Sequence, residues 1–519
     1  MTDSTAPPRR FAVRSGVALA VLVTAAVAVP GTAAASSRAR PVSWAACTET
    51  PLLGYDCATY EVPLDHDKPR GATTTIALAR RPAADQAGKI GTIFVNPGGP
   101  GGPGRGLVRS NGIVAPEVLA RFDLVGFDPR GIGASDPIQC FPTDAEAEAV
   151  LSGIRGVPLT EAEIDATLAA NVAHTEACKA NAGPLLTHMS TLNVAKDLDL
   201  LRQAVGDDKL TYIGYSYGTL IGATYVNLFP RRVRAVVLDG NVDPDQRTNR
   251  RLVNKFERAG GFEIALAGFL RECDAAGAHC VFGPDSRTKF DAIRERFRQG
   301  PVEVPGIGTA TLDDFTGFVI DVMYDLEAFP EAAQILQLLH ETITGTPSTL
   351  KAGGPALPKQ ATGRLWSRDG DAYAFNGFDA GRAVNCADAP LPRNPELYPG
   401  FAVAFEKAHR TYGRAEAFSE VGCATWPRVQ ERYNGPWDRK TSQTVLVVNP
   451  TYDPATRYDF AVRMTRQLGN ARLLTLDGFG HTSSNSTCIT NWYTRYVLHG
   501  EVPPVGTRCG QDRPPFPPA

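Results

Sequence analysis

The chain has 519 residues, 43% of them apolar and 21% charged, with a formal net charge of −2. That is the make-up of a globular protein, long enough for one large domain carrying an insertion or for two to three ordinary domains. The near-neutral balance, with no long basic run, argues against a nucleic acid or an anionic membrane surface as partner, since either requires a basic face.

In chain order, Arg9, Arg10 and Arg14 precede an uncharged apolar stretch, Gly16 to Pro30, and Ala33-Ala34-Ala35 supplies small residues behind it. The pattern predicts an export signal over residues 1–35, cleaved before Ser36. The stretch is short of the roughly 20 residues that span a bilayer. Arg9-Arg10 fits a twin-arginine route only loosely. Losing residues 1–35 removes three Arg and one Asp and leaves a formal charge of −4. No later segment reads as a membrane span. The expected product is secreted or associated with the cell envelope, with no stable membrane anchor.

The ten cysteines are Cys47, Cys57, Cys140, Cys178, Cys273, Cys280, Cys386, Cys423, Cys488 and Cys509. An even count behind an export signal fits an oxidising compartment. They fall into five near-neighbour pairs, and sequential pairing is the expectation, although order alone does not prove connectivity. No Cys-x-x-Cys and no His/Cys cluster with zinc spacing occurs, so neither a metal nor another cofactor is expected.

Tyr60 to Arg81 contains two strand-like stretches around a polar turn at Asp65 to Gly71. Ile90 to Asn96 is a short apolar strand running into the glycine-proline loop Pro97 to Gly104. Phe122 to Asp128 is another strand, Thr191 to Val205 has helical spacing, and Leu210 to Tyr215 is a strand that stops at Ser216. A helix over Thr219 to Leu228 and a strand over Val233 to Asp239 follow. Short apolar strands separated by helices predict a mostly parallel sheet covered on both faces. The alternation then lapses. Residues 242–442 read as a large, mostly helical insertion, with helices at Leu252 to Cys273, Ser286 to Arg298, Leu312 to Leu326 and Pro330 to Thr344. Strands resume at Thr444 to Asn449 and Ala471 to Leu476, with helices at Ala455 to Leu468 and Cys488 to Leu498. The expected organisation is therefore a signal (1–35), a first core part (36–241), a helical cap (242–442) and a C-terminal core part (443–519).

Gly214-Tyr215-Ser216-Tyr217-Gly218 is a Gly-x-Ser-x-Gly motif, and its context matters more than the string. An apolar strand precedes it and a helix follows, so the glycines permit the sharp turn that lifts a serine out of a sheet. The helix N-terminus then aims free N–H groups at the reacting centre. This resembles the nucleophile turn of the α/β-hydrolase fold. A serine nucleophile needs a base, and the base an orienting acid. His481, in Gly478-Phe479-Gly480-His481-Thr482 just past the last strand, is the candidate base. His499, at a helix end, and His340 and His409, inside helices of the insertion, fit less well. Asp453 follows the strand Thr444 to Asn449 and is the candidate acid, and the order Ser216, Asp453, His481 matches that of the fold. Asp239 and Asp243 are rivals, while Asp477 lies too close in sequence to His481. The oxyanion needs two preset donors. The backbone N–H of Tyr217 is one candidate. The other comes from the loop after Asn96, with Gly99 first and Gly98 next.

Two further segments carry a closer resemblance. Pro97-Gly98-Gly99-Pro100-Gly101 resembles the His-Gly-Gly-Pro-Gly oxyanion loop of prolyl aminopeptidases, with Pro97 in place of the His. Asp128-Pro129-Arg130-Gly131-Ile132-Gly133-Ala134-Ser135 resembles their Asp-x-Arg-Gly-x-Gly-x-Ser segment. Nearly the whole chain after the leader is similar to the secreted actinobacterial tripeptidyl aminopeptidases and their mycobacterial cell-envelope relatives. The similarity includes Cys386-Ala387-Asp388, and Thr451 to Ala461 with Gly480-His481. It implies a secreted serine exopeptidase that removes short peptides, often tripeptides, from a free N-terminus. The cap would then offer a carboxylate to the substrate ammonium, with Asp388 as the candidate; the alternative for Asp388, beside Cys386, is to hold its loop. A carboxylesterase or lipase using the same three residues is the alternative. A catalytically dead binding protein on this fold is disfavoured by the complete Ser, His and Asp set.

Overall fold

Strands β4 (Gly91–Asn96) and β5 (Phe122–Phe127) are buried along their entire length. Continuous apolar runs such as Thr92-Ile93-Phe94-Val95 are what a parallel strand needs when helices cover both of its faces. The computed structural model describes residues 40–306, 308–346, 373–429 and 431–518. The signal expected over residues 1–35 lies outside the described residues. The other strands of the chain are β1 (Ala45–Ala46), β2 (Asp56–Pro63), β3 (Thr73–Arg81), β6 (Leu210–Tyr215), β7 (Val233–Asp239), β8 (Val302–Val304), β9 (Gly308–Ala310), β10 (Val445–Tyr452), β11 (Ala471–Phe479) and β12 (Arg508–Gly510).

Ten of these form one sheet in the order β1-β2-β3-β5-β4-β6-β7-β10-β11-β12. Pairing is antiparallel from β1 through β5 and parallel from β5 onward. The sheet is thus the mostly parallel one expected of an α/β-hydrolase fold. Side-chain alternation splits its core in two. Phe94, Val125, Tyr212, Val236, Leu238 and Val447 pack with the helices Thr191–Ala204 and Gly218–Leu228 on one face. Ile93, Val95, Leu124, Ile213, Val237 and Val448 pack with Pro116–Arg121 and Thr487–His499 on the other. Chain direction reverses across the sheet at β4, which lies between β5 and β6. At such a switch point the loops at the carboxyl ends of the strands diverge and leave a crevice. Register puts Asn96 beside Gly214, Tyr215 beside Asp239 and Asp239 beside Val448, so the loops after β4, β6, β7 and β10 emerge at one edge.

Between β7 and β10 the described residues are mainly helical, with the small antiparallel pair β8–β9 as an addition not anticipated from sequence. Helices Arg251–Ala275, Ser286–Arg298, Leu312–Tyr324 and Phe329–Thr344 share their own apolar core around Phe262, Phe269, Phe290 and Phe315. Helix Asn376–Asp388 comes back onto the glycine-proline loop after β4: a Cβ on Gly101 would lie 2.2 Å from the Gly377 carbonyl. Helices Asp144–Leu151 and Glu161–Asn181, between β5 and β6, had no assignment from sequence. Among the described residues no helix is long and apolar enough to cross a membrane.

All ten cysteines are paired, in sequence order: Cys47–Cys57, Cys140–Cys178, Cys273–Cys280, Cys386–Cys423 and Cys488–Cys509. Five disulfides place folding in an oxidising compartment. Cys386–Cys423 closes a loop of sequence separation 37 within the inserted helices. Replacing both cysteines by Ala should lower stability by about 2–4 kcal/mol, the loop-closure entropy returned to the unfolded chain. Urea unfolding reads this directly, and an unchanged midpoint and slope would show that the bridge restrains nothing.

Candidate active site

The junction of β6 and its following helix is crowded to the limit of backbone contact. Ser216 sits at φ 54°, in the left-handed region that a residue with a Cβ occupies at a cost of about 1–3 kcal/mol. Its N–H donates to the Asp239 carbonyl at 2.9 Å, which pins the turn to the end of β7. Glycine is required on both sides. A Cβ on Gly214 would lie 2.5 Å from the Gly218 carbonyl oxygen, and one on Gly218 would lie 2.9 Å from the Asn96 carbonyl oxygen. The glycine-proline loop approaches from the neighbouring strand. A Cβ on Gly98 (φ 93°) would lie 2.5 Å from the Tyr215 carbonyl and 2.8 Å from the Tyr217 nitrogen. Gly98 therefore brings the loop against the serine turn, and its own N–H is spent on Asn96 Oδ1 at 3.0 Å. Gly99 is the next residue of that loop and lines the cavity together with Ser216 and Tyr217.

His481 and Asp453 meet across the ends of β10 and β11. Nδ1 of His481 lies 3.0 Å from both carboxylate oxygens of Asp453. Asp453 is buried, and its remaining acceptor capacity is filled by the N–H groups of Ala455 and Thr456 at 3.0 and 2.8 Å and by the Thr456 hydroxyl at 2.8 Å. The His481 ring stands edge-on to Tyr324, 4.9 Å between centroids, and its backbone N–H donates to the Tyr324 carbonyl at 2.8 Å. Nε2, the ring atom left for a nucleophile, is buried and has no hydrogen-bond partner among the described residues. The ring edge reaches the chain beside the serine turn, since a Cβ on Gly240 would lie 3.3 Å from His481 Cε1.

The rival acids are engaged elsewhere. Asp239 accepts from Ser483 N and Oγ and from the Tyr493 hydroxyl at 2.7–3.1 Å, and burial pushes its carboxyl up to about 6. Asp243 caps the helix Pro244–Asn249 and pairs with Arg463 at 2.6 Å, while Asp477 pairs with Arg508 at the surface. His340 lies in the helix Phe329–Thr344, and His499 ends the helix Thr487–His499. Asp128 and Arg130 serve as framework: Arg130 is fully buried and grips Asp197 with two bonds of 2.6 and 2.7 Å.

Asp388 is corrected by the structure. It does not line the cavity, and its carboxylate accepts from Thr191 N at 2.8 Å and Thr191 Oγ1 at 2.7 Å. It anchors one end of the helix Thr191–Ala204. Burial pushes it up to about 6, against the pull of those two bonds. The Cys-Ala-Asp segment thus ties a helix of the insertion to the core, each Asp388 oxygen accepting one bond from Thr191 outside the cavity lining.

The cavity, about 300 Å³, is walled, besides Gly99, Ser216 and Tyr217, largely by residues that sequence reading did not single out. Arg251, Lys255 and Arg258 recur at i, i+4 and i+7 along one helix face, a periodicity visible in the sequence once the helix is known. Behind them lie two buried carboxylates. Glu420 pairs with Arg251 at 2.7 Å and Lys255 at 3.1 Å; Glu416 pairs with Lys255 at 3.0 Å and with Arg258. Burial alone would raise the Glu420 carboxyl, but Arg251 and Lys255 hold it down at about 2. The buried set Cys140, Cys178, His174 and Asp379 has metal-ligand types within reach of one another, but its two sulfurs are joined in a disulfide.

Two outcomes follow from this geometry. Gly98→Ala should lower kcat by about 100-fold or more, because a Cβ there displaces the donor loop from the serine turn. A folded variant with near-normal kcat would show that the contact is not critical. The Glu420 carboxyl sits below its usual value of 4.5 in the fold, so it adds stability above about pH 4.5 that disappears as pH falls towards 2. Glu420→Gln should therefore cost about 3 kcal/mol at pH 7, with the gap from the unmodified protein closing on acidification; a gap independent of pH would contradict the ion-pair origin.

Residues 91–278 match the family model described as alpha/beta hydrolase fold, and residues 409–509 match the one described as TAP-like protein. The chain is 31% identical to serine protease Hip1 of Mycobacterium tuberculosis, across 91% of each chain. It is 32% identical to carboxylesterase B of the same organism, across 90% of this chain and 89% of that one. It is 29% identical to a tripeptidyl aminopeptidase of Streptomyces lividans, across 94% of this chain and 90% of that one. With the ten-stranded sheet, the strained serine turn and the His481–Asp453 pair in place, the chain belongs to the actinobacterial tripeptidyl aminopeptidase family of α/β hydrolases.

Proposed function

We propose that this chain is a serine exopeptidase that cleaves peptides through an acyl-enzyme on Ser216. The observation that carries the reading is the His481–Asp453 pair, whose Nε2 is buried without a partner among the described residues and whose Cε1 edge abuts Gly240, the neighbour of the Asp239 that ties down the strained Ser216 turn. In that reading Ser216 Oγ attacks the scissile carbonyl and His481 Nε2 takes its proton. The C–N bond breaks as His481 returns the proton to the leaving amine, and water then releases the acyl group by the reverse transfers. Asp453 orients the imidazole and stabilises its cationic form, and the N–H groups of Gly99 and Tyr217 meet the negative oxygen. No metal or other cofactor enters these steps.

The exopeptidase character rests on the cover over the crevice. Residues 242–442 are read as a cap, and four of its helices wall the cavity beside Ser216, which limits how far a substrate extends past the scissile bond. The names of the relatives, serine protease and tripeptidyl aminopeptidase, support cleavage counted from the amino end, with short peptides, tripeptides first, as products. Glu416 and Glu420 stand directly behind the lining cations and are the carboxylates offered for the substrate ammonium in place of Asp388. Export by a cleaved signal and work outside the cytosol are consistent with the five disulfides. The relative called carboxylesterase B, at 32% identity, supports a second reading as an esterase on the same residues.

Matched tripeptide 4-nitroanilides, free and N-acetylated, beside short-chain 4-nitrophenyl esters, separate the two. The free tripeptide should exceed its acetylated twin in kcat/KM by about tenfold or more, since acetylation adds bulk at the closed end. Ser216→Ala should abolish turnover and fluorophosphonate labelling while remaining folded. Equal kcat/KM for the free and acetylated pair would turn the assignment to an endopeptidase or an esterase.

A further inference from the structure

The crevice holding Ser216 carries more positive charge than peptide hydrolysis requires. Its wall includes five cationic side chains, Arg247, Arg251, Lys255, Arg258 and Arg382, and no carboxylate. Glu416 and Glu420 lie behind three of them and offset part of that charge. Arg247 and Arg382 make no ion pair with any described residue. Arg247 is buried and donates to the amide oxygen of Asn385. Arg382 lies over the ring of Phe378, 4.5 Å from its centroid, and its Nη1 faces Nδ1 of His174 at 3.2 Å.

Arg382 is aimed rather than neutralised. His174 is fully buried, and burial holds its imidazole below the usual range, so the ring is neutral. Its Nε2–H faces Asp379 Oδ1 at 2.7 Å, which leaves Nδ1 as an acceptor for the guanidinium. Asp379 is fixed in turn by the Tyr373 hydroxyl and the Cys140 N–H, each at 2.9 Å, and its charge and that of Glu420 act on Arg382 without forming an ion pair with it. A second donor points the same way. Asn254 is 4% exposed and lines the cavity, and its Nδ2 has no hydrogen-bond partner among the described residues.

We propose that the substrates are acidic peptides: a carboxylate on an aspartyl or glutamyl side chain, N-terminal to the scissile bond, docks against Arg382, Arg247 and the Asn254 amide. The proposal rests on the peptidase reading and adds the side-chain class. Guanidinium groups bind carboxylates through paired, charge-assisted bonds. Cations left unpaired in a buried wall are costly, and a ligand carboxylate removes that cost. The same surplus repels a lone substrate ammonium, so an acid on the same peptide is what makes the free N-terminus tolerable there.

The test compares three pairs of free tripeptide 4-nitroanilides, with Glu against Gln at the first, second or third position and Ala elsewhere. Glu should be favoured in kcat/KM by about tenfold or more at one position. That ratio should fall to about threefold or less in Arg382→Gln and in Arg247→Gln, two independent variants whose folding is checked by circular dichroism. Ratios near one at all three positions in the unmodified enzyme overturn the proposal. A ratio that survives in both folded variants overturns the assignment of the two arginines. Hydrolysis of 4-nitrophenyl hemiglutarate and valerate keeps the outcomes apart: if esters are cleaved and no anilide is, the peptidase reading has failed, and the hemiglutarate-to-valerate ratio alone decides whether the cavity selects an anion.

Discussion

Everything in the crevice depends on the contact of two backbones at Ser216. The turn after β6 and the loop after β4 approach so closely that neither Gly98, Gly214 nor Gly218 has room for a methyl group. A serine at φ 54° is unfavourable by itself and persists because hydrogen bonds from both sides over-determine it. The Ser216 N–H is tied to β7, and the Ser216 carbonyl accepts from Thr219 N at 2.9 Å and from Thr219 Oγ1 at 2.6 Å. The sheet order explains why this contact exists at all. β4 and β6 are adjacent parallel strands on the two sides of the switch point, so their C-terminal loops leave in opposite directions around one spot. The Gly98–Gly99 loop and Ser216 therefore arrive together without any long-range adjustment.

The charge of the crevice comes from a different element, the helices between β7 and β10. Their cations reach it from two directions: Arg251, Lys255 and Arg258 from one helix and Arg382 from another. Five like charges around about 300 Å³ repel one another unless each is held. Glu416 and Glu420 hold three, and an amide oxygen and a neutral imidazole hold the others. The division matters. A cation bonded to a carboxylate has little left for a ligand, whereas one bonded to a neutral acceptor keeps its full charge.

The core was legible because its signals are local. Strand β6, Gly214, Ser216 and Gly218 occupy one short stretch, and the loop holding His481 directly follows β11. Asp453 was preferred over Asp239 for its place after the strand Thr444 to Asn449, and the structure gives the physical difference: Asp239 is enclosed by Ser483 and Tyr493, and His481 reaches Asp453. The cavity wall was not legible, because its meaning resides in pairs far apart in sequence. Arg382 meets His174 across 208 positions, and Lys255 meets Glu416 across 161. Asp388 misled for the same reason. Read in its own segment it is a free acid beside a cysteine, and only its contact with Thr191, 197 positions away, shows it to be an anchor. The helices Glu161–Asn181 and Asn376–Asp388 went unassigned because each also buries polar residues, among them His174 and Asp379, that blur an apolar stripe.

The disulfides acquire a purpose in this light. Cys140–Cys178 flanks the group that aims Arg382: Cys178 lies one helical turn from His174, with its sulfur 3.5 Å from Nε2, and the Cys140 N–H holds Asp379. Cys386–Cys423 joins the helix bearing Arg382 to the segment just beyond Glu420. Two of the five bridges thus bracket the charged wall, one on the side of the lone arginine and one between it and the carboxylate network. A wall of mutually repelling cations gains stability by opening, and opening would also let water in and weaken every electrostatic contact with a ligand. A covalent tie opposes that motion by making the opened chain less disordered, without adding a negative charge that would cancel the field inside. Bracing by disulfides thus restrains the charged wall without adding further carboxylates to it.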